Sequence, residues 1–434
     1  MKNKIFVPLL LVASSLLMAQ NTKLSLKDAI DNSLANSKAV KVSESATQSA
    51  EWKAKSVKSN QLPDLSISGQ YQQIISKGDV KLKMQLPTGA GTGMVNVNPD
   101  HVLLGTAGAT LPIYAGGQIK NAIKQSNLAV DLSKLQTESK KEDVVWQTIN
   151  LYFGIYKTQK TLEVLNENLV RANQRVKDFQ NFLDNGIIAR NDFLRAKLQA
   201  SNVQIAIEEA TNTYENLNYR LNILMGNSTS TSYDVVESNG LVENNFSNGE
   251  ISNRKDIQSL EKQAEIAEQS IKIAKAGYYP QVALTGNYYA LELDQIASMY
   301  NNVTVGLGLK YDLSSLYKNK HEVEYAKAKK VESEMQLAAV KDMAKIELNE
   351  ANQKYTLAEK KNKVYNEALE QAVENYRIVK DKYDNGLADT DQLLEADIQQ
   401  LQAEINKVVG DADQTLAGYE FLYTQGKLND NIQK

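Results

Sequence analysis

The sequence predicts a mainly α-helical chain that also carries a membrane β-barrel part, contributing four strands per chain, and that is built as an internal duplication. Three observations predict it. All six prolines are Pro8, Pro63, Pro87, Pro99, Pro112 and Pro280, so residues 113 to 279 and 281 to 434 hold none, and interior proline is what a long helix excludes. Four short stretches alternate apolar and polar side chains, the period of a strand with two unlike faces. Finally, residues recur without gaps 200 positions apart, the mark of a repeated structural unit.

The recurrence orders the chain. Asn166, Glu167, Leu169 and Ala172 return as Asn366, Glu367, Leu369 and Ala372, and Asp184-Asn185-Gly186 returns as Asp384-Asn385-Gly386. Beyond the turn, Leu194, Ala196, Gln199, Tyr219 and Gly226 return as Leu394, Ala396, Gln399, Tyr419 and Gly426. Earlier, Pro63, Gly69 and Tyr71 match Pro280, Gly286 and Tyr288 at an offset of 217, and the difference is an extra loop between Ser76 and Asp100. With its glycines and prolines, that loop reads as a hairpin tip on the cell exterior. The expected organisation is a signal peptide over 1 to 19, a first repeat over 20 to 226, a linker over 227 to 253, a second repeat over 254 to 426 and a tail over 427 to 434.

Composition narrows the function. Among 434 residues there are 49 basic and 52 acidic side chains, no cysteine and two histidines. Disulfides, thiolate metal sites and cysteine nucleophiles are excluded, and two separate histidines do not make a metal centre or a triad. A near-neutral balance lacks the basic excess that a nucleic-acid partner requires. Gly89, Gly91 and Gly93 sit in the long loop with no helix following, so they fail the context of a phosphate-binding turn. No catalytic residue, cofactor or metal is expected. Lys2 and Lys4 followed by an apolar run from Ile5 to Met18 have the order of a secretory signal, cut after Ala19. No later segment approaches the 18 apolar residues of a helical span, so entry into a membrane requires a closed barrel.

The strands follow in order. Leu65, Ile67, Gly69 and Tyr71 alternate with Ser66, Ser68, Gln70 and Gln72. The second strand, from about Val102 to Ile113, shows less contrast. Val282, Leu284, Gly286 and Tyr288 form the third, and Val303, Val305, Leu307 and Leu309 the fourth. Alternation alone fits a half-buried soluble sheet as well as lipid on one side and water on the other.

The helices show a different period. Leu165, Leu169, Ala172, Val176, Phe179 and Leu183, like Tyr365, Leu369, Ala372, Tyr376, Val379 and Tyr383, follow a 4-3-4-3 spacing, which is a coiled-coil seam. Leu394, Ile398, Leu401, Ile405 and Val408 continue it. At 1.5 Å per residue each tract is a rod of roughly 100 Å. Each rod ends at Asp-Asn-Gly, because Gly186 and Gly386, beside Asn185 and Asn385, accept the left-handed conformation that closes a helix. Asn191 or Asp192, and Thr390 or Asp391, are expected to cap the helices that follow.

Four strands cannot close a barrel, and open edges are not tolerated in lipid, so several copies must contribute. Three copies would give 12 strands above twelve rods, although spacing alone leaves the multiple open. The duplication, the strand starts at Pro63 and Pro280, Gly116-Gly117 after the second strand, and the two tips running from Gly186 to Ala196 and from Gly386 to Ala396 resemble the TolC-like outer-membrane efflux proteins over essentially the whole mature chain. The resemblance implies a homotrimer with one 12-stranded barrel continuous with an α-helical coiled-coil tunnel, acting as the exit duct of a tripartite efflux or type I secretion system. Its implied partners are a periplasmic adaptor, an inner-membrane transporter and outer-membrane lipid, with no nucleic acid.

The same resemblance implies a constriction at the periplasmic tips. Its acids correspond to Glu395, nine positions after Gly386, and Asp192, six after Gly186; its tyrosine corresponds to Tyr383. Gln392 stands where a further acid is usual, Asp389 and Asp391 lie beside it, and Ala388 replaces an arginine that latches some members. Each acid also fits a plain helix start, favoured by the helix dipole. An exported coiled-coil structural or adhesin-like protein without a pore is the competing reading; it explains the rods but not the strands.

Overall fold

The computed structural model describes residues 22–75, 80–85, 92–97, 100–236, 250–294 and 297–428. The expected signal peptide lies outside them, as do the middle of the linker and most of the tail. The chain divides into two units: one holds Ser45–Leu135 and Ile257–Val340, the other Met1–Glu44, Gln136–Asp256 and Lys341–Lys434.

The first of these contains the expected four strands, β2 (Asp64–Gln73), β5 (His101–Ala115), β7 (Gln281–Leu293) and β8 (Ala297–Lys310), in the antiparallel order β2-β5-β7-β8. The register sorts the side chains onto two faces. Leu65, Ile67 and Tyr71 stand opposite Ala109, Ala107 and Leu103; Leu111 and Ala107 stand opposite Leu284 and Tyr288, which oppose Leu307 and Val303. This apolar face is open, with Ile67 90% and Val305 75% exposed. The other face carries Ser66, Ser68, Gln70, Thr106, Thr285 and Thr304, and across it the Ser68 and Thr106 hydroxyls are hydrogen-bonded at 2.7 Å. Strands β2 and β8 are the free edges of this sheet.

The stretch expected to be only loop contains β3 (Val80–Gln85) and β4 (Thr92–Val97), paired antiparallel with each other. Val80, Leu82 and Met84 alternate with Lys81, Lys83 and Gln85, a strand period that the loop reading, drawn from the glycines and prolines around it, passed over. Helix α2 (Lys38–Ser59), most of which lies in this unit, precedes the sheet, and α5 (Lys255–Ala276) leads into β7. Gln125 Nε2 donates to Ser270 Oγ at 2.7 Å and Thr47 Oγ1 donates to the Ser133 carbonyl at 3.1 Å, tying neighbouring helices by short polar side chains.

The other unit is helical. It contains α1 (Leu26–Asn36), α4 (Arg190–Met225), α7 (Thr390–Thr424) and the distal parts of the long helices α3 (Gln118–Asp184) and α6 (Ser315–Asp384). Both long helices end at the expected Asp of Asp-Asn-Gly. The main core gathers Ile30 from α1, Ile149, Tyr152, Phe153 and Ile155 from α3, Leu221 and Met225 from α4, and Ala412 and Tyr419 from α7. Two three-residue strands close it: β1 (Thr22–Leu24) pairs in parallel with β6 (Tyr233–Val235), inside the stretch read as linker. The Tyr152 hydroxyl lies 3.0 Å from the Leu24 carbonyl and 2.6 Å from that of Val236, pinning this pair to α3. Burial pushes that hydroxyl's pKa up to about 12, so it stays a donor. No described helix is long and apolar enough to cross a membrane.

Candidate functional site at the two hairpin tips

The two tips are built by the same local chemistry. After α3 the Gly186 amide donates to the Leu183 carbonyl (2.9 Å) and the Ile187 amide to that of Phe182 (2.8 Å); after α6 the Gly386 amide donates to Tyr383 (2.9 Å) and the Leu387 amide to Lys382 (2.8 Å). The glycines have φ of +69° and +72°. These paired bonds are the Schellman closure, which satisfies the last carbonyls of each helix. Asn185 and Asn385 add side-chain bonds of 2.7 Å to the carbonyls of Asn181 and Asp381.

The helix starts beyond the turns correct the expected caps. The residue that caps α7 is Asp389: its carboxylate accepts from the Gln392 amide at 2.9 Å, and Gln392 Oε1 accepts in return from the Asp389 amide at 3.2 Å. The α4 cap position falls on Ala189, which has no oxygen to offer, so only the returning half exists, the Ala189 amide donating to Asp192 Oδ2 at 3.2 Å. Caps sit one turn before the residue that answers them, which places them earlier than Asn191, Asp192, Thr390 or Asp391.

The tips share an apolar cluster of Phe179, Ala196 and Leu393, with Val176, Phe182, Ile188, Phe193, Tyr376 and Tyr383 around it. Tyr383 stacks on Phe179 with ring centroids 5.9 Å apart. Burial raises its hydroxyl pKa, and the Asp192 and Asp384 charges raise it further against the opposing hydrogen bond with Thr390. The hydroxyl therefore remains protonated beside Asp192. Among the acids, Asp391 is paired with Arg195 of α4. The Glu395 carboxylate accepts a hydrogen bond from Gln399 Nε2 at 3.2 Å. Neither Glu395 nor Asp192 has an ion-pair partner among the described residues. Asp391 and Glu395 lie four apart on α7, hence on one face.

Farther from the turns, charge is buried. Arg175 of α3 meets Asp397 of α7 through two bonds of 2.9 and 3.0 Å, and its second nitrogen also donates to Tyr376 Oη at 3.2 Å. Their side chains are 9% and 2% exposed. Burial opposes the charge on Arg175, but the bonds and charge of Asp397 outweigh it and its pKa is raised. Arg171 pairs with Glu404 at 3.1 Å and Lys157 with Asp413 at 2.7 Å, so α3 supplies every cation of this seam and α7 every anion. Sequence reasoning missed Arg175, Asp397 and Arg195. The available signal was a charge inside each apolar period, Arg175 between Ala172 and Phe179 and Asp397 beside Leu394 and Ala396.

Among the described residues no cluster of side chains could hold a metal ion. His101, at the start of β5, stacks on Tyr71 at 5.7 Å.

The chain matches the family model described as outer membrane efflux protein over residues 29–227 and 248–418. A search of curated protein sequences finds no match. Among solved structures, the outer membrane protein VceC from Vibrio cholerae is 16% identical, with a TM-score of 0.78 over 92% of this chain and 96% of that one. The Campylobacter jejuni CmeC outer membrane channel is likewise 16% identical, with a TM-score of 0.77 over 93% and 86%. The open-state MtrE outer membrane channel of Neisseria gonorrhoeae, 15% identical, gives 0.74 over 93% and 89%. At such identities these likenesses speak for the fold.

Proposed function

Because the chain belongs to the outer membrane efflux protein family, whose members are efflux-type channels of that membrane, we propose that three copies close a 12-stranded barrel and serve as the exit duct of a tripartite efflux or type I secretion system. A periplasmic adaptor and an inner-membrane transporter would deliver drugs, other small molecules or proteins to it. The observation that carries this reading is the β2-β5-β7-β8 sheet, with an apolar face left open and two free edges. Lipid demands that both be answered, the face by hydrocarbon and the edges by strands of further copies. The exported character expected of residues 1 to 19 agrees with this destination.

The constriction is proposed at the turns after α3 and α6, with Asp192, Tyr383, Asp391 and Glu395 lining it. Of these, Asp192 and Glu395 would set the field, because Arg195 neutralises Asp391. Repeated around a narrow mouth, these carboxylates would attract cations.

The test is single-channel recording of the purified mature protein, beside the Glu395→Ala, Asp192→Ala double variant. The variant is expected to prefer cations less and to be blocked less by divalent and trivalent cations. Unchanged conductance, selectivity and block would move the constriction elsewhere. A monodisperse monomer in mild detergent would overturn the trimeric duct itself.

A further inference from the structure

Where the strands of the four-stranded sheet join their helices, the chain carries a collar of one charge. Residues 53–64, 112–124, 272–281 and 310–320, which flank those strand ends, hold ten lysines against two acids, Asp64 and Asp312. At the opposite strand ends, residues 71–75, 100–104, 290–294 and 297–301 hold Asp100, Glu292 and Asp294 and no lysine or arginine. The basic collar also exposes large apolar groups, Tyr279, Leu313 and Tyr317 among them. Tyrosines interleaved with lysines are the composition of a boundary between hydrocarbon and water.

One part of the collar is built as a cleft. Gly116 and Gly117, with φ of +62° and +83°, turn β5 into α3. A Cβ on Gly116 would lie 2.5 Å from the Ala276 carbonyl oxygen, so the turn must be bare of side chains there. Beside it lies a cleft of about 570 Å³, lined by Ile113, Tyr114, Ile119 and Ile123 together with Gln61 and Lys120. That volume is in the range of small-molecule sites. The bulge between Pro112 and Tyr114 sets the direction of the tyrosine: Leu111 stands opposite Leu284, and Tyr114 opposite Val282, so Tyr114 regains the apolar face of the sheet. Strand β5 is flanked by β2 and β7, and copies joined through the edges β2 and β8 do not draw on this face. Lys58 is held next to the cleft, its carbonyl accepting from the Gln61 amide at 3.2 Å. Lys58 and Lys120 are exposed, and neither has an ion-pair partner among the described residues.

We propose that this cleft seats an anionic phospholipid of the membrane leaflet nearest the helices, with an acyl chain along Tyr114, Ile119 and Ile123 and the phosphodiester between Lys120 and Lys58. Apolar walls alone would accept any acyl chain. Two unpaired ammonium groups select a head of net negative charge, because a zwitterionic head brings a cation of its own that they repel. The proposal rests on the outer-membrane reading above and adds the class of lipid and the place that holds it.

The assembled protein, purified in detergent, is offered equal amounts of dioleoyl phosphatidylglycerol and dioleoyl phosphatidylethanolamine, and the lipids retained are counted by native mass spectrometry. Phosphatidylglycerol is expected to predominate, saturating at one molecule per copy. Lys58→Gln with Lys120→Gln should weaken its binding roughly 25-fold, about fivefold for each cation removed from an anionic headgroup. Lys58→Arg with Lys120→Arg should retain it, and Lys360→Gln with Lys363→Gln, at exposed lysines of α6, should change nothing. A phosphatidylglycerol carrying a diazirine on its acyl chain should crosslink within residues 112–123 of the unmodified chain, a readout that stands even where a variant fails to assemble. Equal retention of the two lipids, undiminished binding by the glutamine variant, or crosslinks confined to other residues would overturn the lipid site while an assembled trimer leaves the duct intact. A protein that stays monomeric would bring down both.

Discussion

The turn after α3 and the turn after α6 share their glycine conformation and their hydrogen bonds, but the helices that leave them live in different surroundings. On α7 the stretch from Thr390 to Asp397 buries Thr390, Leu393, Leu394, Ala396 and Asp397, whereas over the matching stretch of α4 only Ala196 is buried. A turn is decided by a handful of neighbouring residues, so it repeats when they repeat. Coverage depends on what stands across the groove, and a single chain supplies that neighbour to one helix and not to the other.

This comparison is most sharply broken by removing charges at matching positions. Asp397→Ala leaves Arg175 buried without its anion and should cost about 3–5 kcal/mol, while Lys197→Ala, at the exposed counterpart, should stay within about 0.5 kcal/mol. Calorimetry of the detergent-solubilised protein measures both, and equal losses would mean that the two surroundings are alike. Next come the turns themselves. A Cβ at Gly186 or Gly386 meets no atom within 4 Å, so Gly186→Ala and Gly386→Ala should each cost only the left-handed backbone penalty, about 1–2 kcal/mol. A clear inequality between them would show that the turns are not equivalent. The smallest contrast is at the caps: Asp389→Ala removes a complete capping box and should cost about 1 kcal/mol, and Asp192→Ala, which loses one returning bond and a dipole contact, nearer 0.3–1 kcal/mol. Melting curves in which the order is reversed would refute the cap assignment.

What the sequence disclosed follows the range of the physics involved. Asp-Asn-Gly located both helix ends, because closure of a helix is a matter of five or six residues. Alternation located β2, β7 and β8, since a strand with unlike faces writes its period into the chain. It served β5 less well, where Thr106 and Gly108 face the side shared with Leu104 and Val102. The pair β1–β6 was illegible: three residues carry no period, and Thr22 meets Tyr233 across most of the first repeat. At the tips, only the resemblance nominates Asp192 and Glu395, and no pattern in the sequence gives the neighbours of the residues there. That Asp391 is neutralised by Arg195 and that Tyr383 stacks on Phe179 depends on how α4, α6 and α7 converge. Ile398 gives the same lesson from the other side, being in the seam spacing yet 46% exposed.

The strand order has a consequence in time. β7 and β8 are joined by a short connection and β2 and β5 by the segment that holds β3 and β4, but β5 meets β7 only after α3, α4 and α5 have been made, and its last pair brings Ala115 to Gln281. The entropy of closing a loop grows with its length, so the two hairpins can zip early and the central pairing must come late. Until it forms, β5 and β7 are open edges as well as β2 and β8, and the nascent chain exposes twice the sticky border of the finished sheet. The slow step in maturation is thus the meeting of the two halves, which makes the interval between export and that meeting the period in which the chain most needs an escort.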